Sequence, residues 1–325
     1  MRILVTGSSG HLGEALVRVL RERGDDVVGL DVLESPFTDV VGSVADRSVV
    51  RRAVAGADAV VHSATLHKPH VGSHSRGEFV ETNIAGTLNL LEEAVDASVA
   101  RFVYTSTTSA FGRALTPGPG APAAWVTEEV TPLPRNIYGT TKRAAEDLCE
   151  LTARDHGLPC VILRTSRFFP EDDDTETARA AYDNLNLKVN ELLHRRVDIE
   201  DVVSAHLLAL ERADELRFGR YIITATTPLR RDQVDLLRRD LPRVVAELFP
   251  DYAEIYRARG WSMFPWVDRV YDNALAVREL GFAPRYDFRY ALDRLAAGQD
   301  PRSPLARQVG AKGYHAETTG VYTTR

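Results

Sequence analysis

In "IYGTTKRAAE" (137–146) a tyrosine is followed four residues later by a lysine, in a chain whose 40 basic residues include only four lysines, Lys68, Lys142, Lys188 and Lys312. At i and i+4 of a helix, Tyr138 and Lys142 share one face. A free tyrosine, with a pKa of about 10, is a poor base at neutral pH, and a neighbouring ammonium favours its phenolate. Such a tyrosine could take a proton from a substrate hydroxyl or return one to a ketone. Taken alone, the pair reads first as an idle helix-surface contact, and only other motifs can raise it to a catalytic one.

A second constellation lies in "VTGSSGHLG" (5–13), where Gly7, Gly10 and Gly13 are spaced G-x-x-G-x-x-G between a strand-like run and a helical one. Glycines at this spacing permit a tight turn and close backbone approach to a pyrophosphate, which then sits on the unpaired amides of a helix N-terminus. Ser9, His11 and Leu12 belong to the same expected cradle. Asp31 ends the second strand-like run, where a carboxylate can bind the adenosine ribose hydroxyls. Val32 and Leu33 follow it, rather than an arginine suited to a 2′-phosphate, so NAD is favoured over NADP. The competing reading of Asp31 is a strand-end cap.

These residues need elements to position them. Apolar strand-like runs at 2–6, 27–31, 58–64, 101–106 and 159–165 alternate with helical spacing at 11–23, 46–54, 78–97 and 138–156. That alternation predicts α/β architecture, a Rossmann-type doubly wound parallel sheet. The stretch 112–135 is rich in Pro and Gly and is expected to be irregular. Beyond it the pattern predicts a helix near 184–194, a strand at 196–199, a helix at 201–213 and a strand at 220–224. The expected division is a cofactor-binding domain over 1–166, with return elements at about 196–224, and a smaller substrate-binding α/β region over 167–325. Its end, 300–325, is expected to wrap the surface or fray.

Composition narrows the class. A net charge of −6 argues against nucleic-acid or anionic-membrane partners. The apolar runs are strand-sized, too short to cross a membrane, and the first residues do not resemble a signal peptide. Only Cys149 and Cys160 are present, without metal-ligand spacing or a disulfide framework. A soluble cytoplasmic protein with a small-molecule substrate is expected.

With "TGSSGHLG", "ETNIAGTLNLLEEA", "FVYTSTTSAFG" and "TEEVTPLPRNIYGTTK" in order, the chain resembles an extended short-chain dehydrogenase/reductase of the NAD-dependent epimerase/dehydratase superfamily. The resemblance covers residues 1–165 closely and continues more weakly through 196–210 and 270–284. It implies NAD as cofactor, Tyr138 as general acid/base, and Lys142 as both its electrostatic partner and a ligand of the nicotinamide ribose. It further implies Thr107 as the hydroxyl holding the substrate oxygen, flanked by Ser106, Thr108 and Ser109, and Asn83 as a support of the cofactor site. Ser43, Val44 and Ala64 complete the expected cofactor contacts. A homodimer through the Asn83 and Tyr138 helices is implied in the same way.

The departures from the family pattern are informative. Ser43 stands where the family often has Asp at the adenine. Thr108-Ser109 replace the Asp-Glu pair with which the family's sugar-nucleotide 4,6-dehydratases perform elimination, so dehydration is not expected. Arg167 replaces a family asparagine, and the segment leading to "VDIEDV" is short for a nucleotide pocket. A compact substrate, such as an anionic sugar acid, fits these changes. "ATLHKPHVGSH" (64–74) brings His67, Lys68, His70 and His74 together. No carboxylate or cysteine accompanies them, so no metal is expected. The loop reads as a plain polar loop or as a positively biased substrate loop, with His67 and Lys68 at the substrate beside Thr107, Thr108 and Arg167. Arg195 and Arg196 fall near a family phosphate-binding arginine, displaced by a residue or two, and keep a nucleotide-sugar substrate open; Arg196 is taken as the substrate contact. The acidic "EDDDTE" (171–176) reads as a solvated loop, with ordering on substrate binding as the alternative.

The expected function is an NAD-dependent oxidoreductase acting on a secondary alcohol or ketone of a small polar, sugar-like molecule. A nucleotide-sugar epimerase is the second reading, and a catalytically silent NAD(H)-binding regulator the third.

Overall fold

The structure, a computed structural model, describes residues 1–169 and 176–312. Its first half runs β1 (Arg2–Thr6), α1 (His11–Glu22), β2 (Asp26–Asp31), β3 (Val40–Val41), α2 (Arg47–Val54), β4 (Ala59–His62), α3 (Arg76–Val80), α4 (Gly86–Asp96), β5 (Arg101–Thr107), β6 (Ala124–Val126), α5 (Ile137–His156) and β7 (Cys160–Thr165). Then follow β8 (Arg167–Phe169), α6 (Glu176–Ala181), α7 (Asn184–Leu192), β9 (Arg196–Asp198), α8 (Ile199–Leu216) and β10 (Phe218–Ile223). The remainder holds α9 (Val234–Leu237), α10 (Leu241–Leu248), α11 (Tyr252–Arg257), β11 (Arg269–Tyr271), α12 (Ala274–Leu280), α13 (Phe288–Ala296) and α14 (Pro304–Val309).

Seven strands form one sheet in the order β10-β7-β5-β4-β1-β2-β3, every neighbour parallel. Strand side chains alternate between its faces, so both must be covered. Ile3, Val5, Val61, Val103 and Leu163 point to one side, where α1 and α8 supply Leu16, Leu20, Val202 and Val203. Leu4, Val60, Phe102, Tyr104 and Ile162 point to the other, against Val50 of α2, Leu90 and Leu91 of α4, and Ala145 and Cys149 of α5. This is why the strands read as continuous apolar runs and the helices as one-faced. A separate cluster joins Phe169, Val189 and Leu192 to Val244, Val245, Phe249, Phe288 and Leu292.

The order reverses between β1 and β4, since chain direction leads outward to β2 on one side and to β5 on the other. The carboxyl ends of the strands part at this point, which is where open parallel sheets bind ligands.

Three local expectations need correction. The predicted helix over 78–97 is interrupted: α3 passes into a π-helical turn at Glu81–Ala85 before α4. The stretch 112–135 is not wholly irregular, because β6 pairs in parallel with β11. That partner lies so far along the chain that local composition could not announce it. Within the segment expected to wrap or fray, Pro304–Val309 is a helix that places Leu305, Ala306 and Val309 in the cluster with α1 and α8. Most of the acidic run 171–176 and all of 313–325 lie outside the described residues.

Candidate active site

The glycine loop turns directly off β1. Gly7 adopts φ +74° and its N–H donates to the Leu30 carbonyl at 2.8 Å. A Cβ on Gly7 would meet Ala64 N at 2.8 Å, and one on Gly13 would meet the Gly7 carbonyl oxygen at 1.8 Å. Both positions therefore demand glycine, one for its dihedral and the closeness of β4, the other for the packing of α1 on the loop. Gly10 is the N-cap of α1 and carries no side chain to cap it. The N-cap thus places no side chain over the start of α1, which fits a pyrophosphate approaching the helix N-terminus. Asp31, at the tip of β2, accepts hydrogen bonds from Ser9 N and Leu33 N, both at 3.0 Å.

One cleft of about 740 Å³ runs from this loop to the start of α5. Gly7, Ser9, Gly10, His11, Leu12 and Gly13 line one end with Asp31, Ser43, Val44 and Ala64. Thr107, Thr108, Tyr138 and Lys142 line its middle, and His67, Lys68 and Arg167 its outer part. Two of the expected residues do not line it. Asn83 lies behind the wall, 1% exposed, accepting from Leu66 N at 2.8 Å and donating to the Leu66 carbonyl at 2.8 Å and to Thr141 Oγ1 at 3.0 Å. It ties the 64–66 loop to α5 from the centre of the π-helical turn, a feature common near functional sites. Arg196, expected at the substrate, is a correction. It is fully buried, its Nε donating to Glu191 at 2.7 Å and its Nη1 to the Phe168 carbonyl, while its neighbour Arg195 reaches the cleft. Arg195, in the turn before β9, lines the cleft while Arg196, the first residue of the strand, does not, so the two differ by a one-residue offset.

The α5 residues are positioned by several contacts. Asn136 caps the helix by accepting from Gly139 N, and Gly139 lies so close to the Ser109 carbonyl that a Cβ would sit 2.9 Å from it. This close approach sets Tyr138, 8% exposed, beside the end of β5, where Thr107 accepts from Ser109 N. The Tyr138 ring meets His67 edge to face at 6.5 Å.

Lys142 is buried, with Nζ donating 2.6 Å to the Thr105 carbonyl and lying 4.1 Å from the centroid of Tyr104. Burial pulls its pKa down to about 7, against the opposing pull of Glu146 one turn further along α5 and of Cys149. Glu146 is itself fully buried, accepting from Ser106 Oγ and from Arg164 at 2.6 Å. Beneath the loop, His62 joins Thr6 Oγ1 (2.7 Å) to Thr87 Oγ1 (3.0 Å). Burial first, and then the Lys142 charge, depress its pKa well below the ordinary range, so the imidazole stays neutral.

The outer cleft contains residues that the sequence did not single out. Arg135, Arg269 and Tyr271 line it beside Arg167 and Arg195. Arg167, Arg195 and Arg196 converge on buried Glu191, the first at 3.6 Å. His67, His70 and His74 stack edge to face at 4.6 and 5.1 Å, and His70 Nδ1 accepts from His67 N. Among the described residues, no group of His, Cys, Asp or Glu is arranged to hold a metal, and no helix is long and apolar enough to cross a membrane.

Sheet order, glycine loop and switch-point cleft define a Rossmann-type dinucleotide-binding fold. A family model described as the NAD dependent epimerase/dehydratase family matches residues 3–223, and the chain belongs to that family. NAD is accordingly its dinucleotide. Among curated relatives, the low-salt glycan biosynthesis protein Agl12 of Haloferax volcanii is 36% identical over 186 residues, 52% of this chain and 57% of that protein. The chain thus spans about half the length of the first curated relatives it matches. A dTDP-glucose 4,6-dehydratase of Streptomyces antibioticus is 30% identical over 335 residues, covering 90% of this chain and 91% of the relative. A solved short-chain dehydrogenase/reductase superfamily protein from Agrobacterium tumefaciens, with bound NAD, shares the fold at a TM-score of 0.66 and 24% identity, over 95% of this chain and 98% of that one.

Proposed function

We propose that this protein is an NAD-dependent oxidoreductase that interconverts a secondary alcohol and a ketone on a small, polar, sugar-like substrate. The observation that carries this reading is the convergence of Thr107, Tyr138 and Lys142 on the cleft that also contains the glycine loop. NAD, when bound, supplies the hydride acceptor or, in its reduced form, the donor. Tyr138 is the general acid/base, taking the hydroxyl proton in oxidation and returning it in reduction. Thr107 holds the reacting oxygen. Lys142 sits one helical turn below Tyr138, and its ammonium, supported by Glu146, the Thr105 carbonyl and the Tyr104 face, favours the phenolate. Asn83 braces the 64–66 loop against α5 from outside the cleft. Arg167, Arg195 and Arg269 at the outer end favour a substrate that carries negative charge.

The dehydratase reaction of the Streptomyces relative is not carried over. Elimination needs an acid and a base beside the sugar, and the cleft-lining residues after Thr107 are Thr108 and Ser109. Epimerisation is the second reading, because it would use the same Thr107, Tyr138 and Lys142 and the family includes it by name. A homodimer through the α4 and α5 face is part of the proposal, with Leu88 and Leu151 exposed there.

The test is a screen of sugars, sugar acids and small hydroxy compounds for NADH production by the wild type and Tyr138→Phe. The variant is expected to bind NAD as before and to lose turnover by about 10²–10⁴-fold, the usual range for a removed acid/base. Undiminished turnover by the variant would remove Tyr138 from its role.

A further inference from the structure

The last described residues return to the glycine loop. α14 packs on α1 and α8, and Gly310, at φ +66°, turns the chain off the helix. Lys312 then lies over the loop, its Nζ donating 2.9 Å to the Ser9 carbonyl and pairing with Glu14 Oε2. Arg18 holds the other oxygen of Glu14 at 2.7 Å. Both cations face the Phe37 ring, Arg18 at 4.6 Å and Lys312 at 5.7 Å.

Ser9 is therefore held at each of its polar groups. Its N–H donates to Asp31, its hydroxyl lies among the Leu33 carbonyl, Ser35 and Thr38, and its carbonyl accepts from Lys312. Glu14 poses the electrostatic difficulty. It lies in the first turn of α1, 5% exposed, at the helix end whose positive pole favours an anion. A carboxylate there opposes a pyrophosphate. Two cations against one carboxylate turn the local charge positive.

We infer that Lys312 is a positioning residue for dinucleotide binding: it fixes the Ser9 peptide and, with Arg18, neutralises Glu14, so that the C-terminal segment sets the affinity of the glycine loop. This rests on the NAD reading above. Nothing in the spacing of residues 1–13 points to it, because the contact joins residues 303 apart in sequence.

The test is calorimetric titration of NAD⁺ into dinucleotide-free wild type, Lys312→Ala, Lys312→Arg, Glu14→Gln and the Lys312→Ala/Glu14→Gln double variant. Lys312→Ala is expected to weaken NAD⁺ about tenfold, the scale of one charge-assisted contact, and Lys312→Arg by no more than about threefold. In the Glu14→Gln background the same alanine change has a smaller effect, because the charge to be neutralised is gone. The unfolding midpoint of dinucleotide-free Lys312→Ala stays within about 2 °C of wild type, a shift that separates positioning from folding. A Lys312→Ala affinity within twofold of wild type overturns the inference, as does a loss matched by a comparable fall in the dinucleotide-free midpoint. A wild type with no NAD⁺ affinity overturns the cofactor reading itself, and this inference with it.

Discussion

The two ends of the cleft are built by different means. At the dinucleotide end, the position of each group follows from the backbone: Gly7 at positive φ, Gly13 with no room for a Cβ, Gly10 opening α1 without a side-chain cap, and Asp31 at a strand tip. At the end proposed to take substrate, Arg167 of β8 and Arg195, just before β9, pair with one buried carboxylate, Glu191, and Arg269 of β11 lines the same cleft. Fixed amides suit a ligand whose pyrophosphate is invariant. Arginines on a frame of ion pairs would suit the proposed substrate, since one substitution can re-shape that end while the sheet stays intact.

This contrast can be sharpened or broken by substitution. Between the two ends, Lys142→Met is expected to have the largest effect, lowering turnover by roughly 10²–10³-fold because the phenolate loses its cation. It should also stabilise the protein. The folded pKa of Lys142, about 7, lies below its ordinary value of 10.5. The burial penalty is therefore fully present below pH 7 and fades as pH rises towards 10.5. The variant's unfolding midpoint should exceed the wild type's by roughly 3–6 °C at pH 6 and by less at pH 9. A lower midpoint at pH 6 would mean that the ammonium is well compensated.

At the substrate end, Arg269→Ala and Arg167→Ala should each raise KM about tenfold with a smaller change in kcat, and leave NAD affinity unchanged. Weakened NAD with unaltered KM would reverse the assignment of the two ends. The smallest effect is expected from Asp31→Ala, a roughly fivefold loss of NAD affinity that narrows the preference over NADP. A wild type that already prefers NADP would contradict the ribose role of Asp31.

How much of this was legible in the sequence follows the same division. The dinucleotide end follows short-range rules, so spacing and position after a strand pointed to Gly7, Gly10, Gly13 and Asp31, while the i, i+4 rule paired Tyr138 with Lys142 and the family motifs around them gave the pair its catalytic reading. The strand runs were equally plain, because a sheet buried on both faces leaves long apolar stretches. Asn83 was readable through its family motif but not its place behind the wall, which depends on the π-helical turn. Arg195 was named only beside Arg196, and Arg269 and Tyr271 were missed as cleft residues, as was the β6–β11 pairing that brings β11 to the cleft. Their positions depend on contacts between distant segments, for which local sequence carries no signal. Lys312 belongs with them: its one sequence clue was the scarcity of lysine.

The most direct test of the central claim, that NAD exchanges at each turnover as the hydride carrier, is the dinucleotide content of freshly purified protein, released by denaturation and identified. The account predicts little retained dinucleotide and reversible binding of added NAD⁺. Near-stoichiometric NAD that survives extensive dialysis would contradict it and favour an epimerase, which must keep its cofactor between the two halves of its reaction.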